Sequence, residues 1–141
     1  MAHVHAPGLV LRFDPQTLSD HGATFAGSDD TEFSTQYFVC LESTAKDALW
    51  IPLFAGPRPG RKGIAAAAKS GHAQWTRNSS FYDAGHLCRI GHKAAQKAAE
   101  AARDHSTSKA PNRLALEHVP PRAEFPDDSA FRPMASGATI R

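Results

Sequence analysis

The stretch Gln36-Tyr-Phe-Val-Cys-Leu41 constrains the fold most. It is aromatic and β-branched, and it is apolar at nearly every position between polar flanks. That is the composition of a strand buried on both faces. A polar turn over residues 42–47 separates it from Ala48-Leu-Trp-Ile-Pro-Leu-Phe54, a second strand. Proline cannot donate to a ladder, so Pro52 predicts an edge position or a bulge there. Upstream, Leu9, Leu11 and Phe13 alternate with Val10 and Arg12, the period of a strand, and Asp14-Pro15 ends the run. Phe81-Tyr82 and residues 87–90 read as short strands around a turn at 83–85, and residues 114–116 add another. Ten glycines and ten prolines mean many turns and few long elements. An alanine-rich piece at 64–69 predicts one or two helical turns, stopped by Gly71. Residues 93–105, KAAQKAAEAARDH, form the clearest helix. Its small-residue face buries little apolar area, so a peripheral helix is expected.

The chain is therefore expected to be mainly β with one peripheral helix, a single domain over residues 1–119. Residues 16–34 read as a long polar surface loop. Residues 120–141 carry four prolines and no apolar period, and read as an extended or disordered C-terminal tail. No apolar run approaches the roughly 18 residues of a membrane span, and MAHVHAPG lacks the pattern of a signal peptide. A cytoplasmic protein with Cys40 and Cys88 reduced and buried is the expectation. Charge is unevenly placed. Residues 1–55 hold two basic and seven acidic residues, whereas residues 56–110 hold ten basic and three acidic. A basic middle third suits an anionic partner, because each phosphate contact releases counterions. It equally suits a solvated basic face balanced by an acidic one.

Candidate chemistry concentrates in residues 71–92, GHAQWTRNSSFYDAGHLCRIGH. Imidazole titrates near neutrality and can relay a proton to or from a ribose hydroxyl. Guanidinium stabilises charge developing on phosphorus. His86, His72 and Arg89 are the candidate catalytic residues on this basis. Trp75 and Tyr82 offer stacking faces for unpaired bases, and Arg77 a phosphate contact. The Gly/Pro loop at 55–63 projects Arg58, Arg61 and Lys62, three further nucleic-acid-binding candidates, although an exposed hairpin turn explains it as well. His86, Cys88 and His92 give H-x-C-x-x-x-H, with His72 or Cys40 as a fourth zinc ligand. The paired C-x-x-C or H-E-x-x-H spacings are missing, so neither metal nor cofactor is assigned. The Asn78-Ser79-Ser80 triplet has meaning as a glycosylation site only in a secreted chain.

The order of the first half resembles the PemK/MazF family of toxins. Pro7-Gly-Leu-Val-Leu-Arg-Phe-Asp14 is similar to the family's entry strand, Tyr37-Phe-Val-Cys-Leu41 stands at its second strand, and Leu49-Trp-Ile-Pro-Leu53 resembles the strand that ends in a proline and an apolar residue. The resemblance spans about residues 7–55. It implies a small SH3-like β-barrel, usually a homodimer, that cleaves single-stranded RNA as a metal-independent endoribonuclease. The family's Arg-Pro pair is replaced here by Ser34-Thr35-Gln36, and its Thr or Ser after the Pro-apolar pair by Phe54. Catalysis would then fall to other residues, such as His86 and Arg89. This enzyme hypothesis requires His72, Arg77, His86 and Arg89 to line one concave site. The alternative is a non-catalytic interaction or assembly protein whose loop at 15–34 and tail order on a protein partner.

Overall fold

The computed structural model describes residues 5–27, 33–105 and 110–134. The first strand, β1 (Leu9–Phe13), turns Leu9, Leu11 and Phe13 to one face of a sheet and Val10 to the other. Asp14 then ends the strand and starts a helix, because its carboxylate accepts from the Thr17 N–H and Pro15 fits the first helical turn. The polar loop expected after residue 15 is thus replaced in part by α1 (Pro15–Asp20) and β2 (Thr24–Ala26). Residues 28–32 of that loop lie outside the described residues.

The strands β3 (Gln36–Ser43) and β4 (Asp47–Pro52) are buried on both faces, as the apolar run requires. Phe38, Cys40, Ala48 and Trp50 join Leu9, Leu11 and Phe13 on one face. Val39, Leu41, Leu49 and Ile51 join Val10 on the other. Contrary to the edge expected from Pro52, β4 is a central strand. The Leu53 N–H donates to the Tyr37 carbonyl, so the nitrogen of Pro52 points away from β3. Pairing on that far side has ended at Trp50, so no ladder bond is lost.

Beyond Pro52 come β5 (Arg61–Ile64), a 3-10 turn at Ala66–Ala68, β6 (Lys69–Ser70), α2 (Ala73–Thr76), β7 (Ser80–Asp83) and β8 (Leu87–Gly91). Then follow α3 (His92–Ala101), β9 (Asn112–Leu114) and β10 (Arg132–Pro133). Among the described residues, eight strands form one antiparallel sheet in the order β10-β2-β8-β4-β3-β1-β9-β6, and β5 and β7 form a separate hairpin. The sheet is open. Its edges are two-residue strands, one of them carrying Pro133, which limits edge-to-edge pairing. The closed SH3-like barrel is therefore not the architecture. A barrel buries one face of its sheet inside, whereas this sheet buries two, each under its own cover.

The first cover is helical. Ala94, Ala95, Ala98 and Ala99 of α3 are buried against the β1–β4 core together with Leu18 of α1. The helix is not peripheral; its small face lets it approach the sheet closely. It ends in a Schellman motif, with Asp104 N–H donating to Ala99 O, Arg103 N–H to Glu100 O, and Arg103 left-handed at φ 55°. The second cover is the β5–β7 hairpin, Trp75 of α2, and a strap that follows β9. Phe125 and Met134 are 7% and 8% exposed. Met134 N–H donates to Ala23 O, and β10 pairs with β2. Packing thus continues past the boundary expected at residue 119: the segment to Met134 is extended but docked. Residues 106–109, just past the helix expected over 93–105, and 135–141 of the tail lie outside the described residues.

Cys40 and Cys88 are free and buried. Trp50 of β4 lies between them in register, about two strand spacings or ~9.6 Å in all, beyond the reach of a disulfide. Burial pushes the Cys40 thiol up to about 12, with Glu42 adding to the effect, and burial alone raises Cys88 further. No helix among the described residues is long and apolar enough to cross a membrane.

Candidate functional site

On the second face a pocket of about 300 Å3 opens between β1, the start of β3, the end of β4 and α2. Its lining includes Arg12, Ser34, Thr35, Gln36, Tyr37, Phe54, Lys69, Gln74, Asn78, Ser79 and Ser80. Among the described residues its lining holds two cations and no carboxylate.

Each cation is positioned by local structure. Arg12 lies on β1 opposite Tyr37. Its backbone N–H donates to Asp104 Oδ1, and its Nη1 donates to Ala102 O at the C-terminal end of α3. That end of the helix carries partial negative charge, which favours a guanidinium there. Lys69 begins β6 and folds back over α2. Its Nζ lies 3.9 Å from the centre of the Trp75 ring, 3.3 Å from Trp75 O, 2.6 Å from Asn78 O and 2.6 Å from Ser80 Oγ. Burial lowers Lys69 to about 8. Gly71 makes the connection to α2 possible. At φ 123° it abuts Asn112, whose Oδ1 would stand 2.3 Å from a Cβ at residue 71. The same Oδ1, on a fully buried side chain, accepts from the His72 N–H. Trp75 is anchored by donation from its Nε1 to Arg113 O and packs 5.1 Å from the Tyr37 ring. Burial raises the Tyr37 hydroxyl, Arg12 pulls it down, and Asp104 pushes it up.

The residues singled out from sequence do not converge. His72 caps α2, accepts from the Gln74 N–H and stacks on His105 with centroids 4.4 Å apart. It lies beside β9, whereas His86 and Arg89 belong to the β8 end. The strands β4, β3, β1 and β9 separate β8 from β6. His86 sits 3.3 Å from Asp83, against the rings of Phe25 and Phe54. Phe25 belongs to the helix-covered core. Arg89 lies on the opposite face, packed over Phe131 and paired with Asp47 and Asp128. Alternation along β8 separates them, since the strand carries no bulge there. Arg89 faces a second cavity, of about 430 Å3, whose lining includes Glu42, Asp47, Asp127 and Asp128. Those carboxylates neutralise it and repel a phosphate. The single concave site required of His72, Arg77, His86 and Arg89 is absent among the described residues.

The stacking candidates are corrected too. Trp75 is 1% and Tyr82 7% exposed, so neither ring can accept a base. The Tyr82 hydroxyl donates to Glu124, and burial raises it, with the bond to Glu124 adding to the effect. Lys62 pairs with the same carboxylate. Arg61 donates to Gly56 O and lies over the Phe54 ring. Arg58 and Arg77 remain exposed, with no ion pair among the described residues. Arg77 adjoins Asn78, and Arg58 follows Ala55 by three residues, so both sit beside segments that line the Arg12–Lys69 pocket. The zinc alternative fails on geometry. Cys88 is buried inside β8, and the strand holds His86 and His92 at opposite ends. His92 donates through Nε2 to Thr44 O and contacts His5.

Sequence reasoning missed Arg12, Tyr37, Lys69 and Ser80. The only signal was a lone lysine closing an alanine run, which reads equally well as a solvated helix end. Comparison with family models, characterised proteins and solved structures gives no match for this chain.

Proposed function

We propose that this chain is an RNA-directed protein that holds single-stranded RNA at the pocket between β1, β3 and α2. One observation carries the reading. Arg12 and Lys69 line that pocket together with Ser34, Thr35, Gln36 and Phe54, and no carboxylate lines it among the described residues. Those last four stand where the PemK/MazF resemblance puts the family's catalytic pair. Asp104 lies behind Arg12 on its backbone N–H, and two cations facing a pocket with no carboxylate among its described lining residues suit a phosphodiester. Amide and hydroxyl side chains around them supply hydrogen bonds to base edges, and the exposed Arg58 and Arg77 lie in the chain beside lining segments.

A non-catalytic interaction protein is the second reading, favoured by the scatter of His72, His86 and Arg89. It predicts that mixed RNA stays intact on incubation with the protein, with or without chelator. The RNA reading is tested by charge reversal. Changing Arg58 and Arg77 together to Glu should weaken binding of a labelled single strand. It should also flatten the slope of log affinity against log salt by roughly 1.4, from about 0.7 per phosphate contact. An unchanged slope would remove these two residues from the interface.

A further inference from the structure

We propose that Ser80 is a nucleophile toward phosphodiesters, activated by Lys69 at the floor of the same pocket. The inference rests on the RNA reading for its substrate class, but its chemistry comes from the three contacts of the Lys69 amine. Two of the partners, Trp75 O and Asn78 O, are carbonyls and can only accept. The third, Ser80 Oγ at 2.6 Å, can accept or donate. An ammonium satisfies the set by donating three times. A neutral amine satisfies it equally, donating to the two carbonyls while its lone pair accepts the Ser80 O–H. The site therefore holds both protonation states with only the Ser80 hydroxyl hydrogen turning, as a general base requires, while the Trp75 ring face 3.9 Å from Nζ adds some attraction for the ammonium. The carbonyls fix the amine, so its lone pair is aimed at one oxygen.

The electrostatics agree with the geometry. Burial brings Lys69 to about 8, so a useful neutral fraction exists near physiological pH. Among the described residues the other ionisable side chains lining the pocket are Arg12 and Tyr37; Asp104 accepts from the Arg12 N–H and acts on Tyr37, Arg77 adjoins the lining residue Asn78 in the chain, and the α2 cap His72 stacks on His105. A guanidinium stays charged throughout, and Tyr37 is held above its usual range. Arg12 spends one donor on Ala102 O, so its remaining N–H groups are available to phosphoryl oxygens.

In the first step Ser80 Oγ bonds to phosphorus as its proton passes to Lys69 Nζ. The bond from phosphorus to O5′ breaks, and Lys69 returns the proton to O5′. Water then attacks the phosphoserine, giving a proton to Lys69. The bond from phosphorus to Oγ breaks, and that proton goes back to Oγ. The products are a 3′-phosphate and a 5′-hydroxyl. No ribose 2′-hydroxyl takes part, so no 2′,3′-cyclic phosphate forms.

The test treats the intact chain with an alkyl fluorophosphonate and locates the adduct by mass spectrometry. The same Oγ–P bond forms there, and fluoride leaves. One adduct is expected, at Ser80, with a rate that climbs as pH rises through about 8. Ser80→Ala should abolish it, and Lys69→Met, checked for an intact thermal transition, should slow it about a hundredfold or more. Absence of a Ser80 adduct overturns the proposal. So does a labelling rate flat from about pH 6 to 9, which is read on the unaltered protein and needs no variant to fold. A second arm adds labelled single-stranded RNA. Binding followed by cleavage to cyclic phosphate ends, or cleavage surviving in Ser80→Ala, overturns the nucleophile and leaves the RNA reading standing. A labelled Ser80 in a protein that binds no RNA overturns the RNA reading and the phosphodiester class together.

Discussion

Lys69 is where burial, hydrogen bonding and charge are most tightly coupled in this molecule. Its side chain is only partly buried, yet the amine loses enough hydration for the charged form to be disfavoured. The consequence for stability has a definite sign. An unfolded lysine titrates near about 10.4, whereas the folded one gives up its proton at about 8. Between those values the unfolded state binds more protons, so the Lys69 contribution to unfolding free energy increases with pH. Cys40 and Cys88 act in the opposite direction, because the fold holds both thiols protonated after the unfolded thiols have ionised. A comparison of the native protein with Lys69→Met cancels the thiols. The stability difference measured by urea denaturation should move in favour of the native protein as pH is raised from 8 toward about 10.4. A difference that stays level across that range would mean that Lys69 is as well solvated folded as unfolded.

Among the elements, α3 shows most clearly what the sequence carries and what it hides. Its alanines announce a helix, and the helix is there. Whether a small-residue face is peripheral or pressed to a core depends on what lies opposite, and that is set by strands as distant in the chain as β1. The two-sided burial of β3 was legible for the reverse reason, since nearly every position in that run is apolar, whereas Pro52 pointed β4 to an edge it does not occupy. The short-element texture follows from Gly and Pro. The pocket was not legible, because Arg12, Tyr37, Lys69 and Ser80 come from four different strands and no spacing links them. The end of α3 gives an expected gain. Arg103 occupies the left-handed position of a Schellman motif, where a Cβ is strained and glycine is favoured. Arg103→Gly should stabilise the protein by about 0.5–1 kcal/mol, read as a higher thermal midpoint. A lower midpoint would mean that the Arg103 side chain contributes more than the backbone strain costs.

For the whole molecule, the governing fact is a sheet apolar on both faces that needs two covers to be stable. Helices α1 and α3 supply one. The β5–β7 hairpin, Trp75 and the strap through Phe125 and Phe131 supply the other, and the strap's end at Met134 crosses to the helix-covered core. The strap is therefore structural. Ending the chain at Val119 removes Phe125 and uncovers Tyr82. By the usual loss for a buried aromatic, this should cost at least about 3 kcal/mol and make the rest of the chain protease-sensitive. A truncated protein with an unchanged thermal midpoint would show that the strap adds nothing. The second cover also forms the walls of the Arg12–Lys69 pocket, so the fold and the proposed function meet there. Photocross-linking of single-stranded RNA carrying 4-thiouridine, followed by peptide mapping, examines that meeting point directly. Adducts are predicted on the segments that line the pocket, residues 34–37, 53–55 and 74–80. Adducts confined to the acidic cavity around Arg89, or to the helices of the opposite face, would contradict the assignment of this pocket as the RNA site.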